Sequence, residues 1–239
     1  SSRPGNYTPD VVLAKKEYPV AAGTTDVEVD FDLTLDEPQY GFVVLKKNPF
    51  LTTPRSETRI TGVVAVFNRY TQQGNEERGI DTVPFFLPTR RPQGTNYAVK
   101  FNPPLKSFGA EQLRSGIFRP ALGASNAWVA PLKQNTATLK AEWKAPQTIN
   151  RVVLWFDTDF DFSMESLQFH HPESVIPFCV QNFKLLDEQG KVVYETTDNH
   201  HSRCEIRFES PIKTSSLTLE LNATDENIPI SLFGIQAFE

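Results

Sequence analysis

Phe183-Lys184-Leu185-Leu186, then Asp187-Glu188-Gln189-Gly190, then Val192-Val193-Tyr194 after Lys191, read as a β-hairpin. Two short apolar runs flank a polar turn that ends on glycine, the residue that most easily takes the backbone angles a tight turn needs. Upstream, Val152-Val153-Leu154-Trp155-Phe156 is too short for a helix and reads as a strand buried on both faces. Phe42-Val43-Val44-Leu45 and Val63-Val64-Ala65-Val66-Phe67 read the same way. Val27-Glu28-Val29-Asp30-Phe31-Asp32-Leu33-Thr34-Leu35 alternates apolar and polar residues, which predicts a half-buried strand, and residues 138–143 alternate more loosely. No segment sustains a 3.6-residue period beyond two turns, so helix content below about 15% is expected. Eighteen Phe and three Trp supply core surface, while eighteen Pro and twelve Gly interrupt the chain often. The fold class is all-β.

A weak internal repeat sets the expected division. Phe101-x-x-Pro104-Leu105-Lys106-Ser107 returns as Phe208-x-x-Pro211-Ile212-Lys213-Thr214, and Pro38-Gln39 returns as Pro146-Gln147, both about 107 residues on. A shared offset points to duplicated units. Two tandem β-sandwich domains are expected, 1–115 and 116–239, joined through residues 108–120, with Phe118 and Arg119 packing across the junction.

A net charge of −5 does not suggest nucleic acid as a partner, since neutralising phosphates takes a basic face. No apolar run is long enough to span a membrane. The chain begins Ser1-Ser2 and reads as a trimmed or mature fragment, so a missing leader says nothing about export. Cys179 and Cys204 read as two free buried thiols, one internal disulfide being the alternative.

Strand counting places a candidate site. If the 152–156 strand runs up and a 178–186 strand runs down, the loops 157–177 and 197–202 lie at the same end. The first holds Asp157, Asp159, Asp161, Glu165, His170, His171 and Glu173 among Phe160, Phe162 and Phe169, and the second holds Asp198, Asn199, His200 and His201. Sugars need paired polar groups for their hydroxyls and an aromatic face for the ring. The expected ligand set is Trp128, Asp157, Asp159, Asp161, Glu165, His171, Glu173, Asn199 and His200. The competing reading is local: acidic side chains capping backbone N–H groups, and phenylalanines plugging the core. Asp157-x-Asp159-x-Asp161 could also offer several oxygens to calcium, although the Gly and distal Glu of an EF-hand are missing. In the first half, loops 46–60 and 87–96 share an end and carry Lys46, Lys47, Arg55, Arg59, Arg90 and Arg91. Arg55, Arg59, Arg90 and Arg91 form a secondary site for an anionic group such as a uronate or sulfated sugar, or else a solvated basic rim. Paired carboxylates could serve glycoside hydrolysis, but they are common by chance in an acidic loop and no Gly-x-Ser-x-Gly elbow is present. The chain is therefore expected not to be an enzyme.

Asn126-Ala127-Trp128-Val129, Phe156-Asp157-Thr158-Asp159-Phe160-Asp161, Met164-Glu165-Ser166, His171-Pro172-Glu173, Pro177-Phe178-Cys179 and Asn199-His200 follow in order. Together they resemble the C-terminal accessory region of bacterial proteins described as FAD-dependent oxidoreductases. Tyr40-Gly41-Phe42-Val43 and Arg90-Arg91-Pro92 extend the resemblance, more loosely, to the first half. The resemblance implies a galactose-binding-like jelly roll in each half, discoidin-like in the second, a carbohydrate ligand, a catalytic domain elsewhere in the parent protein, and an extracellular or periplasmic location. Flavin chemistry does not carry over, because no Gly-x-Gly-x-x-Gly is present to cradle a pyrophosphate. The expected function is a non-catalytic carbohydrate-binding accessory region, the alternative being a structural or oligomerisation region packed on a catalytic domain.

Overall fold

The computed structural model describes residues 11–35, 43, 48–52, 55–56, 96–97, 102, 108–119, 126–131, 134–158 and 175–239. The chain divides into two compact units, Ser1–Thr52 with Arg69–Phe85, and Thr53–Asn68 with Phe86–Glu239. Regular structure among the described residues is strand, apart from one 3-10 turn at Ala110–Arg114.

In the first unit, residues 27–35 are not the half-buried strand that their alternation predicts. They join no ladder among the described residues, and Val27, Val29, Leu33 and Leu35 are exposed. Local polar bonds hold the segment instead. The Tyr18 hydroxyl accepts from the Asp30 N–H (3.2 Å) and donates to the Asp30 carbonyl (3.1 Å). Asp30 Oδ1 accepts the Asp32 N–H (2.9 Å), and Asp32 takes a positive φ of 43°. An Asx-type turn inside the run breaks the two-residue register that a strand requires. The segments 42–45 (Val43 apart) and 63–67 lie outside the described residues, as do residues 101 and 103–107, on which the repeat and the boundary near residue 115 rest.

In the second unit, β1 (Arg55–Ser56) pairs with β2 (Asn96–Tyr97), and β3 (Trp128–Val129) with β8 (Ser231–Leu232). The main sheet contains β4 (Thr136–Trp155), β5 (Asn182–Leu186), β6 (Val192–Thr196), β7 (Arg203–Asn222) and β9 (Gly234–Phe238), in the order β6-β5-β7-β4-β9, all antiparallel. β4 and β7 are each 20 residues long and pair with each other from end to end. Their outer neighbours sit at opposite ends: β5 pairs with the 218–222 part of β7, and β9 with the 151–155 part of β4. Between these ends the register shifts twice, after Glu142 and after Ile149. Pro146 and Pro211 fall in this stretch, where a residue without an N–H is tolerated only because the ladder is already interrupted.

The two ends of the ribbon share one core. Ala137, Phe183, Leu185, Leu217, Leu219 and Leu221 from one end cluster with Val152, Leu154, Cys204 and Ile206 from the other. Phe156 lies 5.3 Å from Phe183, ring centroid to centroid. The strand is thus bent so that one sheet supplies both faces of a β-sandwich. Val152, Val153 and Leu154 are all buried, as a run without alternation requires. The 187–190 turn forms as expected, with Gly190 at φ 79° and Asp187 Oδ1 accepting the N–H groups of Gln189 (2.9 Å) and Lys191 (3.0 Å). The strand expected over 178–186 begins only at Asn182. A turn in which the Cys179 N–H donates to the Ile176 carbonyl (3.3 Å) precedes it, and Phe178, Cys179 and Val180 are buried without ladder pairing.

This core predicts a contrast. Leu219→Ala, at the centre of the cluster, lowers unfolding free energy by about 2–5 kcal/mol, whereas Val29→Ala changes it by less than about 0.5 kcal/mol. Urea denaturation of both variants checks this, and equal losses would restore residues 27–35 to a core strand.

Candidate functional site

The end of β4 opens into a cleft of about 430 Å3, lined by Gly116, Ile117, Phe118, Arg119, Trp155, Phe156, Asp157, Thr158, Ser202 and Phe233. Backbone bonds set its position. The Phe156 N–H donates to the Ser202 carbonyl (2.8 Å) and the Phe233 N–H to the Trp155 carbonyl (2.9 Å), so three chain segments meet where the strand ends.

The wall of the cleft is aromatic. Phe118 stacks on Trp155 with centroids 4.5 Å apart and planes 8° from parallel. Gly234 makes the stack possible, because it lies opposite Trp155 in the ladder and a Cβ there would stand 2.7 Å from the Phe118 ring. Asn126, buried, holds the segment carrying Phe118: its Nδ2 donates to the carbonyls of Ile117 (2.8 Å) and Arg119 (2.6 Å). Trp155 Nε1 donates to Gln236 Oε1 (3.1 Å), and Arg203 lies over the same indole at 5.6 Å.

Polar groups line the rest. Asp157 is buried, at 2% exposure, and Thr158 is half-buried, while Ser202 and Arg119 are exposed. Behind Asp157 sits Cys179. Burial, then the Asp157 charge, then Cys204 push its thiol up to about 12. Cys204 is also pushed up, mainly by burial, and both cysteines are free.

Of the expected ligand set, Asp157 and Asn199 come together around Cys179. Asn199 is buried, and its Nδ2 donates to the Val180 carbonyl (2.9 Å) and to Cys179 Sγ (3.6 Å). Its Oδ1 accepts the His201 N–H (3.3 Å). These bonds make it a tie between the 197–202 loop and the segment before β5. His200 is exposed, with Nδ1 3.1 Å from the Asp198 carbonyl and its ring 4.3 Å from that of His201. Trp128 is half-buried in β3, packed against the core rather than lining the cleft. Asp159, Asp161, Glu165, His171 and Glu173 lie outside the described residues, and with them most of the expected calcium set. Arg55 stands opposite Tyr97 in the β1–β2 pair, which joins the two stretches that sequence reading placed at one end; Arg59, Arg90 and Arg91 lie outside the described residues. Among the described residues, no three His, Cys, Asp or Glu side chains gather as metal donors, and no helix is long and apolar enough to cross a membrane.

Sequence reading missed Trp155, Phe118 and Ser202 as lining residues. Trp155 lies inside the apolar run 152–156 that reads as core, and nothing near Phe118 in sequence announces its stacking partner.

No protein-family model matches the chain, and no curated protein matches it. Solved structures similar to it include the family 32 carbohydrate-binding module from Streptococcus pneumoniae EndoD (17% identity, 56% of this chain and 88% of that one, TM-score 0.42). Another is chitosan-binding module 2, in complex with chitotriose, from a chitosanase/glucanase of Paenibacillus sp. IK-5 (11%, 56% and 89%, 0.40). A third is the lectin domain of lectinolysin complexed with Lewis B antigen (16%, 56% and 86%, 0.39).

Two outcomes follow from the hydrogen bonds and burial at this end. Asn126→Ala and Asn199→Ala each lower unfolding free energy by about 1–3 kcal/mol, because the first removes a buried amide that ties down the Ile117 and Arg119 carbonyls and the second leaves the buried Val180 carbonyl without its donor, while His200→Ala leaves the Tm nearly unchanged. Thermal melts of the three variants check this. Cys179, protonated and buried, resists iodoacetamide at pH 8 in the native protein and reacts on unfolding; rapid native labelling at Cys179 would contradict the burial.

Proposed function

We propose that the chain is a non-catalytic carbohydrate-binding region whose ligand lies in the cleft at the end of β4. The observation that carries this reading is the juxtaposition of an aromatic wall, Phe118 on Trp155, with the carboxylate of Asp157, the hydroxyls of Thr158 and Ser202, and the guanidinium of Arg119. A pyranose has apolar C–H faces that pack on aromatic rings, and vicinal hydroxyls that pair with carboxylate, hydroxyl and guanidinium groups. The 157–177 loop starts at this cleft with Asp157 and Thr158 and returns to Cys179 beside Asp157. The reading assigns Asp159, Asp161, Glu165, His171 and Glu173 to the same ligand end, with His200 and Trp128 at its border. It also keeps a calcium ion for the Asp157, Asp159 and Asp161 set, and an anionic site for Arg55, Arg59, Arg90 and Arg91. In this proposal the chain holds two tandem sandwiches of galactose-binding-like type. It serves a larger bacterial protein outside the cytoplasm, with the catalytic domain elsewhere in that protein.

A second reading, a structural or oligomerisation region, is favoured by the apolar exposure of the first unit: Val12 is 81% and Phe50 92% exposed. Such surface is the kind that partners cover.

A glycan array followed by titration calorimetry separates the two. The carbohydrate reading expects binding of at least one oligosaccharide class, weakened about tenfold or more by Phe118→Ala and by Arg119→Ala, with the fold retained by circular dichroism. A stable oligomer in sedimentation that binds no glycan would support the structural reading and sink the first.

A further inference from the structure

The sheet face that backs away from the core at the β9 end is rich in guanidinium groups. By register, Arg207 lies beside Arg151, and Arg203 beside Trp155, with Phe238 on the other side of Arg151. Alternation puts these on the face opposite Val152, Leu154, Cys204 and Ile206 of the core. Arg151 sits 4.0 Å over the Phe238 ring, and Arg203 over Trp155. Among the described residues, one carboxylate serves the group. Glu205 accepts a hydrogen bond from Arg203, is ion-paired with Arg207 and lies 3.7 Å from Arg151 Nη1. Hydrogen bonding from Arg203 is the largest influence holding the Glu205 carboxyl below the usual carboxylate range, so it is ionised at neutral pH.

Among the described residues, three guanidinium charges against one carboxylate leave an excess of two in this cluster, in a chain of net charge −5. Each guanidinium has about five N–H donors and a carboxylate about four lone-pair sites. Most of the roughly fifteen donors therefore have no place on Glu205. The Arg207 side chain is 72% exposed and that of Arg203 43%, against 18% for Glu205, so the cations rather than the anion reach solvent. Arg203 connects this face with the cleft, because it follows Ser202 in sequence and lies over the Trp155 ring that forms the cleft wall.

We propose that this face is an anion subsite continuing the cleft, and that the saccharide recognised is acidic, its carboxylate or sulfate group held by Arg203 and Arg207. The proposal rests on the carbohydrate reading of the cleft and deepens it. Glu205 orients the guanidinium planes, and the stacked rings keep Arg151 and Arg203 extended, so that a planar anion meets paired donors. An excess of two charges suits one or two anionic groups. It falls short of the run of phosphate contacts that nucleic-acid binding requires.

The test uses the full chain and four probes: an oligogalacturonide, its methyl-esterified neutral counterpart, a sulfated galactose oligomer and a single-stranded oligonucleotide. The oligogalacturonide or the sulfated oligomer is expected to bind about tenfold more tightly than the neutral counterpart, an advantage that shrinks as salt rises from about 0.05 to about 0.5 M. The preference between these two acidic probes identifies the anion. Arg207→Gln, with unchanged melting, reduces binding of the acidic probe about three- to tenfold and leaves neutral binding as it was, and Arg203→Gln, whose side chain also lies over Trp155, weakens the acidic probe more than the neutral one. Equal affinity for acidic and neutral saccharides, or equal losses for both in the variants, overturns the anion subsite while leaving the cleft reading standing. Tighter binding of the oligonucleotide than of any saccharide also overturns the proposal. If no saccharide binds at all, the subsite and the cleft reading fall together.

Discussion

The structure of the second unit depends on one ladder, the pairing of β4 with β7. It joins residues 48 apart at its near end, Trp155 with Arg203, and 86 apart at its far end, Thr136 with Asn222. Bringing such distant segments together costs loop-closure entropy that no local turn offsets. The compensation comes from the apolar rows the ladder aligns. Ala137, Leu221 and Phe183 lie side by side across three strands, as do Leu139, Leu219 and Leu185. At the other end Leu154 lies between Cys204 and Ile235. Because β5 and β9 attach at opposite ends, and the prolines loosen the middle, the ribbon can bend and bury both sets of rows against each other. A straight 20-residue ribbon would leave one face of each end in water.

The cleft is a consequence of where that ladder stops. Residues 152–156 are buried in succession apart from Trp155, which points to the outer face and ends the strand. A glycine opposite it leaves room for a second ring, and Asn126 ties down the segment that brings this ring. The same alternation that aims Leu154 into the core aims Arg151 and Trp155 outward, beside Arg207 and Arg203. Core, cleft and cationic face are thus set by a single register. A one-residue slip would send every one of these side chains to the wrong side.

Much of this was legible in the chain. The 187–190 turn, the buried 152–156 strand and the all-β class follow from local rules: glycine at the turn, a short apolar run, and the lack of helical period. The 157 and 197–202 segments do meet, the Phe156 N–H bonding the Ser202 carbonyl, but not by the strand directions that counting assumes: β5 is not an antiparallel neighbour of β4, because β7 lies between them and pairs antiparallel with both. What was not legible depends on distant partners. Alternation at residues 27–35 specifies which face could be buried but supplies nothing to bury it against, and the local Asp30–Asp32 turn prevails. Asn199 looks like a ligand group in sequence because its three polar partners belong to residues up to 20 positions away or to its own loop. Trp155 reads as core because its stacking partner, Phe118, lies 37 residues upstream.

The most direct measurement is a crystal structure of the chain with a bound oligosaccharide, chosen as the tightest binder found in solution. The account predicts a sugar ring within contact distance of the Phe118–Trp155 wall, with hydroxyls bonded to Asp157, Thr158 or Ser202. A ring bound away from this cleft, with Phe118 and Trp155 untouched, would contradict it.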